Sequence, residues 1–187
     1  MPFRDLAQQA GLAVTSAVFF VSFFELNNWV FSSFQYSEGI NWVFLPAGFR
    51  VILVLTMGLP GAVGLLLGSW YIDSDSLTST SWFFPFFNGI VSGMTPWIVM
   101  KFLIRQGLLS PELSQMTASR LLQVTLIFSA ASAMSHQLLW WLLEKPNVNI
   151  WVDIWPMFVG NALGALLMLY GMKFVINRIS SNRQSHH

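Results

Sequence analysis

The chain has 187 residues, of which 55% are apolar and 9% are charged, and its formal net charge is +1. Soluble domains carry about 25% charged residues, so this composition excludes an ordinary soluble domain and indicates a membrane protein. The absence of cysteine excludes a disulfide framework, a thiolate metal site and a cysteine nucleophile. Because no basic stripe accompanies the small net charge, we expect the lipid bilayer and no nucleic acid as a partner.

Long apolar segments recur along the chain and predict an all-α bundle of about six transmembrane helices, each needing roughly 20 apolar residues. Residues 1–176 are predicted to form one transmembrane domain, and 177–187 a polar cytoplasmic tail. The second and third segments are short and meet at a Gly-Leu-Pro-Gly turn signal at 58–61, so they either cross twice or form a re-entrant hairpin. The predicted segments are 8–34, 42–58, 59–73, 82–104, 118–143 and 151–176.

The charges in the predicted loops indicate how the bundle is oriented. Cytoplasmic loops of membrane proteins carry an excess of Lys and Arg. Six crossings place the two sets of charges on opposite sides, so we expect both termini to be cytoplasmic. The basic side holds Arg4, Lys101, Arg105, Arg120, Lys173, Arg178 and Arg183, and the other side holds Glu38, Asp73, Asp75, Glu144, Lys145 and Asp153.

Small residues spaced four apart predict close packing between helices, because glycine lets two helix backbones approach each other. Three such sets each begin with a proline, at positions 60, 85 and 156. Internal duplication is the alternative interpretation, since the similar sequences KFLI and KFVI stand at 101–104 and 173–176. The glycines predicted to pack are Gly64, Gly68, Gly89, Gly93, Gly160 and Gly164.

Two charged residues lie inside predicted helices, at matching depth. Glu25 precedes the end of the first helix and Arg50 follows the start of the second, so each lies roughly 12–14 Å below the outer boundary at 1.5 Å per residue. An isolated charge at that depth costs at least ~2.5 kcal/mol, so we expect a Glu25–Arg50 ion pair. The pair either joins two helices structurally or belongs to a ligand or signalling site.

Further polar residues fall in the same outer half of the predicted bundle and suggest an outward-facing polar cavity. We predict that ligand or ion-pair contacts involve Glu25, Arg50, His136, Asn28, Asn88 and Asn161. His136, the one histidine outside the C-terminal tail, is either a hydrogen-bonded packing residue or a ligand-binding one. We find no sequence motif for a catalytic or metal site and therefore expect a protein that is not an enzyme, with no cofactor identified.

One segment resembles a known family. The stretch Leu45-Pro46-Ala47-Gly48-Phe49-Arg50, with Gly58 and Gly68 following, is similar to the membrane-associated sensor (MASE-type) domains that precede bacterial histidine kinases and diguanylate cyclases. The similarity covers residues 42–72. It implies a sensory or regulatory module of the bacterial inner membrane that acts through another membrane protein.

Three functions therefore follow as hypotheses. The leading one is a sensor-like or regulatory protein that binds a small ligand, lipid or partner in its outer cavity. The second is an accessory or scaffolding subunit of a larger membrane complex, associated with pigment or lipid, which the glycine strips and abundant aromatic residues favour. The third is a component of a small-solute transporter, since proline-interrupted helices can build binding sites in the middle of a membrane.

Overall fold

The computed structural model describes residues 3–78, 82–109 and 118–184, and these contain seven α-helices and one small β-hairpin. The predicted all-α class is confirmed, and each of the six predicted apolar segments contains a helix. The helices are α1 Phe3–Phe31, α2 Leu45–Met57, α3 Leu59–Ile72, α4 Ser74–Leu77, α5 Phe83–Arg105, α6 Ala118–Leu142 and α7 Ile150–Gln184. The hairpin strands are β1 Gln35–Ser37 and β2 Ile40–Asn41.

Two features differ from the predicted elements. Helix α7 continues to Gln184, through most of the segment predicted as a polar tail, because no glycine or proline follows Gly171 to end it. The connection between α1 and α2 also contains the antiparallel β1–β2 hairpin, which the sequence analysis did not predict.

Three helical segments of the described residues are long and apolar enough to cross a membrane: Arg4–Phe34, Phe83–Arg105 and Ile150–Gly171. Helices α2 and α3 are apolar but have only 13 and 14 residues. At 1.5 Å per residue each is about 20 Å long, which is shorter than the ~30 Å hydrocarbon core. Helix α6 has 25 residues but a more polar composition, and it is not among the three.

The helices pack as a ring in the order α1, α3, α5, α6, α7 and α2, and α2 closes the ring against α1. Helix α2 also contacts α3 and α5, because its C-terminal half lies inside the ring. There Val51, Leu53 and Val54 form an apolar core with Leu65 of α3 and Leu103 of α5. This core fills the end of the bundle where α5 ends and leaves the other end free to hold a cavity.

The six glycines predicted to pack all lie at close contacts. Gly64 and Gly68 face α1, Gly89 and Gly93 face α3, and Gly160 and Gly164 face the backbone that leads into α2. A Cβ atom at any of these positions would overlap a neighbouring residue, so the contacts require glycine.

Helix α2 begins where contacts from two other helices hold the chain. The side-chain Oδ1 of Asn27 on α1 accepts a hydrogen bond from the Leu45 backbone N–H at 2.9 Å, and the Phe44 N–H donates to the Gly160 carbonyl at 3.0 Å. Helix α2 ends at Gly58, whose φ of +62° reverses the chain before α3. These contacts fix the direction in which α2 enters the bundle, and therefore the position of Arg50.

Candidate functional site

A cavity of about 540 Å³ lies between the ring helices, at the end opposite the α2 core. Pockets of 300–1,000 Å³ are typical of small-molecule sites. We call its deep end the floor and its open end the mouth. The floor is lined by Phe20, Arg50, Ser92, Ser132, His136 and Asn161, and the mouth by Asn28, Gln35, Glu38, Asp73, Asn88 and Lys145.

The floor is organised by one serine, which lies between the two ionisable groups. The Oγ atom of Ser92 lies 3.1 Å from Nε2 of His136, and Nη2 of Arg50 donates to the same Oγ at 3.4 Å. The Arg50 guanidinium also lies over two aromatic rings, 5.0 Å from the Phe20 centroid and 5.4 Å from the Phe44 centroid. Helices α1, α2, α5 and α6 thus all contribute to the floor.

The hydrogen bonds of His136 determine its protonation. Its Nδ1 lies 2.8 Å from the Ser132 carbonyl oxygen, which can only accept, so Nδ1 carries a hydrogen. Nε2 of neutral His136 then accepts a hydrogen bond from the Ser92 hydroxyl, and a lone pair of Ser92 Oγ is left to accept a hydrogen bond from Arg50. A protonated imidazole would instead direct a second cationic donor at the Oγ that Arg50 already contacts. The arrangement therefore favours neutral His136.

The mouth is ordered by a chain of contacts that crosses from α6 to α3. The Trp140 indole N–H donates to Asn88 Oδ1 at 3.1 Å, and Asn88 Nδ2 donates to Asp73 Oδ2 at 3.5 Å. Nζ of Lys145 lies 3.8 Å from the Trp140 ring centroid and donates to the Glu38 carbonyl at 3.2 Å. The lysine thus connects the β-hairpin to the wall of the cavity.

Partial burial changes the acidity of two of the charged groups that border the mouth, Asp73 and Lys145. Burial raises the pKa of Asp73, while its hydrogen bond from Asn88 and the charge of Lys145 oppose this rise. Burial lowers the pKa of Lys145, and the charges of Glu38, Asp73 and Asp153 oppose that change. The acids at the mouth therefore interact with the lysine there and not with the arginine at the floor.

Five of the six predicted ligand or ion-pair residues line this cavity: Asn28, Arg50, Asn88, His136 and Asn161. Glu25 does not line it. Its side chain is exposed, and no ion pair between Glu25 and Arg50 is found in the described residues. The prediction failed because depth along a helix does not determine facing: Glu25 stands two residues before Asn27, so the two side chains point about 160° apart around α1.

Several residues of the site were not singled out by sequence reasoning. The cavity is also lined by Ser92, Trp140 and Lys145, none of which is among the predicted ligand or ion-pair residues. A serine in an apolar helix usually bonds to its own backbone, so the sequence carries no signal for the Ser92 bridge. The aromatic rings beside Arg50 lacked a signal as well, because phenylalanine is abundant throughout the chain.

The chemical groups that line the cavity indicate which class of ligand it can bind. Among the described residues no group of three or more His, Asp or Glu side chains is placed to bind a metal ion. The cavity instead offers amide, hydroxyl and imidazole groups, one guanidinium and aromatic rings, which suit an organic molecule.

Comparison of the chain with protein-family models, curated proteins and solved structures finds no match, so its function has to be inferred from this cavity.

Proposed function

We propose that the chain is a non-enzymatic, sensor-like or regulatory protein of a bacterial inner membrane that binds a small ligand in an outward-facing cavity. One observation carries the proposal: a ligand-sized cavity whose floor holds a cationic side chain without an acidic partner among the described residues. Ionisable groups within a membrane bundle are costly unless paired, and they commonly mark a binding site.

The proposal includes six crossings, with α6 as one of them and the α2–α3 pair as two short ones. Helix α6 owes its polar composition to inward-facing residues, since Thr125, Ser129 and His136 are buried. From Val124 to Leu142 its exposed positions are apolar, as Met134 and Leu138 show. A helix that is apolar outside and polar inside suits a lipid-surrounded bundle with a polar interior.

The proposed orientation places the mouth on the outer side and both termini in the cytoplasm. Arg105 ends α5 at the core-filled end of the bundle, whereas Glu38 and Asp73 line the mouth at the other end. A basic end on the cytoplasmic side is the usual arrangement. Exposed Trp29, Trp151 and Trp155 lie near the outer end of α1 and the start of α7, where indole rings suit the lipid–water boundary.

The sensor-like assignment draws on the resemblance of residues 42–72 to membrane-associated sensor domains. That segment forms α2 and α3, and it supplies Arg50 to the cavity floor. A ligand that contacts Arg50 would touch α1, α5 and α6 as well, so its binding can change how these helices pack. A second membrane protein would then respond to that change.

Copurification tests the binding function. The full chain is isolated in native lipid discs, and every bound small molecule is identified by mass spectrometry. Ser132→Phe fills the cavity floor, whereas Leu138→Phe adds the same ring to a lipid-facing position of the same helix. We expect a small molecule that accompanies the wild-type chain and Leu138→Phe but is lost from Ser132→Phe. Equal recovery from all three proteins, or no bound molecule in any, would contradict the proposal.

A second candidate is hydrolysis, which the contact between Ser92 and His136 favours. A hydroxyl that donates to a histidine held by its other nitrogen is the arrangement of an activated nucleophile. The same Oγ, however, accepts a hydrogen bond from the Arg50 guanidinium, which lowers its nucleophilicity. Covalent labelling of Ser92 by a fluorophosphonate, abolished in His136→Gln, would favour this candidate over binding alone.

A further inference from the structure

The guanidinium of Arg50 makes fewer polar contacts than its five N–H groups allow. One contact is recorded within the described residues, the 3.4 Å bond from Nη2 to Ser92. The Nε atom is buried and has no hydrogen-bond partner. Phe20 and Phe44 provide ring faces, which attract a cation but leave its N–H groups unsatisfied. Most of the N–H groups of Arg50 therefore make no hydrogen bond to the described residues.

A second donor with no acceptor lines the same cavity. Asn27 is 1% exposed, and its Nδ2 has no hydrogen-bond partner. The orientation of this amide is fixed, because its Oδ1 accepts the Leu45 backbone N–H. The lining thus contains two buried nitrogen donors, on α1 and on α2, without matching acceptors.

The ionisable acceptors of the lining are engaged elsewhere. Asp73 accepts from Asn88 at the mouth, and Glu38 lies beside Lys145. At the floor, neutral His136 uses its one acceptor nitrogen for Ser92. An excess of donors around an unpaired cation is the complement of an oxyanion.

From this geometry we propose that the cavity binds the oxygen atoms of an anionic group, a carboxylate or a phosphate, with Arg50 at the floor as its principal contact and Asn27 of α1 as a second donor in the lining. The remainder of the ligand extends toward the mouth, between the rings of Phe24, Phe84 and Trp140. This inference rests on the proposed binding function and adds the chemical class of the ligand. A free organic anion and the headgroup of an anionic lipid both supply the required oxygens.

Three variants and two controls test the anion site. Arg50→Gln removes the charge and Arg50→Lys keeps it without the planar fork. Asn27→Asp retains the oxygen that accepts from Leu45 and adds a carboxylate to the cavity lining. The controls are Arg105→Gln, which removes an exposed arginine from the other end of the bundle, and Leu138→Phe on the lipid-facing surface. Near-wild-type stability of Asn27→Asp provides a folded test if Arg50→Gln unfolds.

Each full-length protein is placed in phosphatidylcholine nanodiscs, and the unfolding midpoint is followed during titration with hexanoate, inorganic phosphate or the neutral hexanamide. A parallel series replaces part of the lipid by phosphatidylglycerol. We expect stabilisation by at least one anion and none by hexanamide, with apparent affinity about 10- to 100-fold weaker in Arg50→Gln and Asn27→Asp and unchanged in both controls. A response to phosphatidylglycerol alone identifies the lipid headgroup as the source, and a response to hexanoate or phosphate identifies a free anion.

The inference is overturned if no anionic probe stabilises the wild-type chain, or if Arg50→Gln and Asn27→Asp respond as the wild type does. This failure is distinct from failure of the binding function. A neutral molecule that copurifies with the wild-type chain and with Arg50→Gln, but is lost from Ser132→Phe, would preserve the binding cavity and exclude the anion site.

Discussion

Ser92 joins the two ionisable side chains of the cavity floor through a single hydroxyl group. It donates to His136 Nε2 and accepts from Arg50, so its removal leaves a buried acceptor and a buried donor unsatisfied. Because each group was stripped of water when the bundle formed, the loss costs more than the net value of one hydrogen bond. The stability of the floor therefore depends on a side chain of small volume.

We predict that Ser92→Ala lowers the free energy of unfolding by about 1–3 kcal/mol. Ser135→Ala is the matched control: the Ser135 hydroxyl donates to the Ala131 carbonyl of its own helix, at 2.7 Å. Its removal leaves the helix bonds intact and costs about 0.5 kcal/mol or less. Denaturant unfolding in one detergent compares the two. Equal destabilisation of the two variants would show that the bridge at Ser92 has no special role.

The partly buried position of Asp73 at the mouth predicts that the free energy of unfolding depends on pH. Burial raises its pKa above the ordinary aspartate value of 3.8. Between the ordinary and the raised pKa the folded protein binds more protons than the unfolded chain, so the free energy of unfolding falls as pH rises through that window. Asp73→Asn has no carboxyl group to titrate, so its free energy of unfolding does not fall in this window. The stability of Asp73→Asn relative to the wild type should therefore increase from acidic toward neutral pH. Unfolding midpoints over a pH series measure it, with exposed Asp75→Asn as the control.

Glu25 and Arg50 show that the depth of a residue along a helix can be predicted from sequence, whereas the direction in which its side chain faces cannot. Depth follows from counting residues along a helix, and five of the six candidate residues at similar depth do line one cavity. Facing depends on how each helix is rotated against its neighbours, and α1 has apolar residues on all sides in its membrane segment. Nothing in the sequence therefore distinguishes the side of Asn27 from the side of Glu25.

Helix–helix contacts in this bundle depend on glycine at defined positions. Helices α1 and α3 run side by side, with Gly64 against Ala13 and Ser16. The spacing of four residues predicted such strips, because residues four apart lie on one face of a helix. The partner of each strip was not predictable: Gly160 and Gly164 pack against the connection before α2 and not against another helix.

A methyl group at one of these positions tests the packing. Gly64→Ala directs Cβ at the Ala13 carbonyl oxygen and the Ser16 side chain, and we predict destabilisation of about 1–3 kcal/mol from overpacking. The control is Gly11→Ala on the partner helix α1, where nothing lies within 4 Å of the added Cβ. It should be neutral or stabilising by up to about 1 kcal/mol, because alanine favours helix more than glycine does. Thermal unfolding of both variants in detergent measures the difference, and a neutral Gly64→Ala would contradict the close contact.

Over the whole molecule, the apolar core and the polar cavity occupy opposite ends of one bundle. The C-terminal half of α2 fills one end with aliphatic side chains, and the β1–β2 hairpin borders the opening at the other. Composition predicted an all-α chain with a helix in each of six apolar segments, because helix formation in such segments follows from their length and apolar content. The closed ring order follows from tertiary packing, which no local pattern in the sequence encodes.

Because an apolar core closes one end of the ring of helices, we predict that a water-soluble reagent reaches the cavity from one side of the membrane only. The chain has no cysteine, so a single introduced thiol reports on one position. Ser132→Cys places a thiol at the cavity floor, and Leu138→Cys places one on the exposed outer surface of the same helix. Gln106→Cys marks the exposed end of α5 on the opposite side of the bundle.

The most direct measurement is the reaction of these thiols with a membrane-impermeant methanethiosulfonate in right-side-out membrane vesicles. An outward-facing cavity predicts that Ser132→Cys reacts in sealed vesicles, that Leu138→Cys stays unreactive, and that Gln106→Cys reacts only after the vesicles are opened. Protection of Ser132→Cys in sealed vesicles, together with reaction of Gln106→Cys there, would contradict the outward-facing cavity.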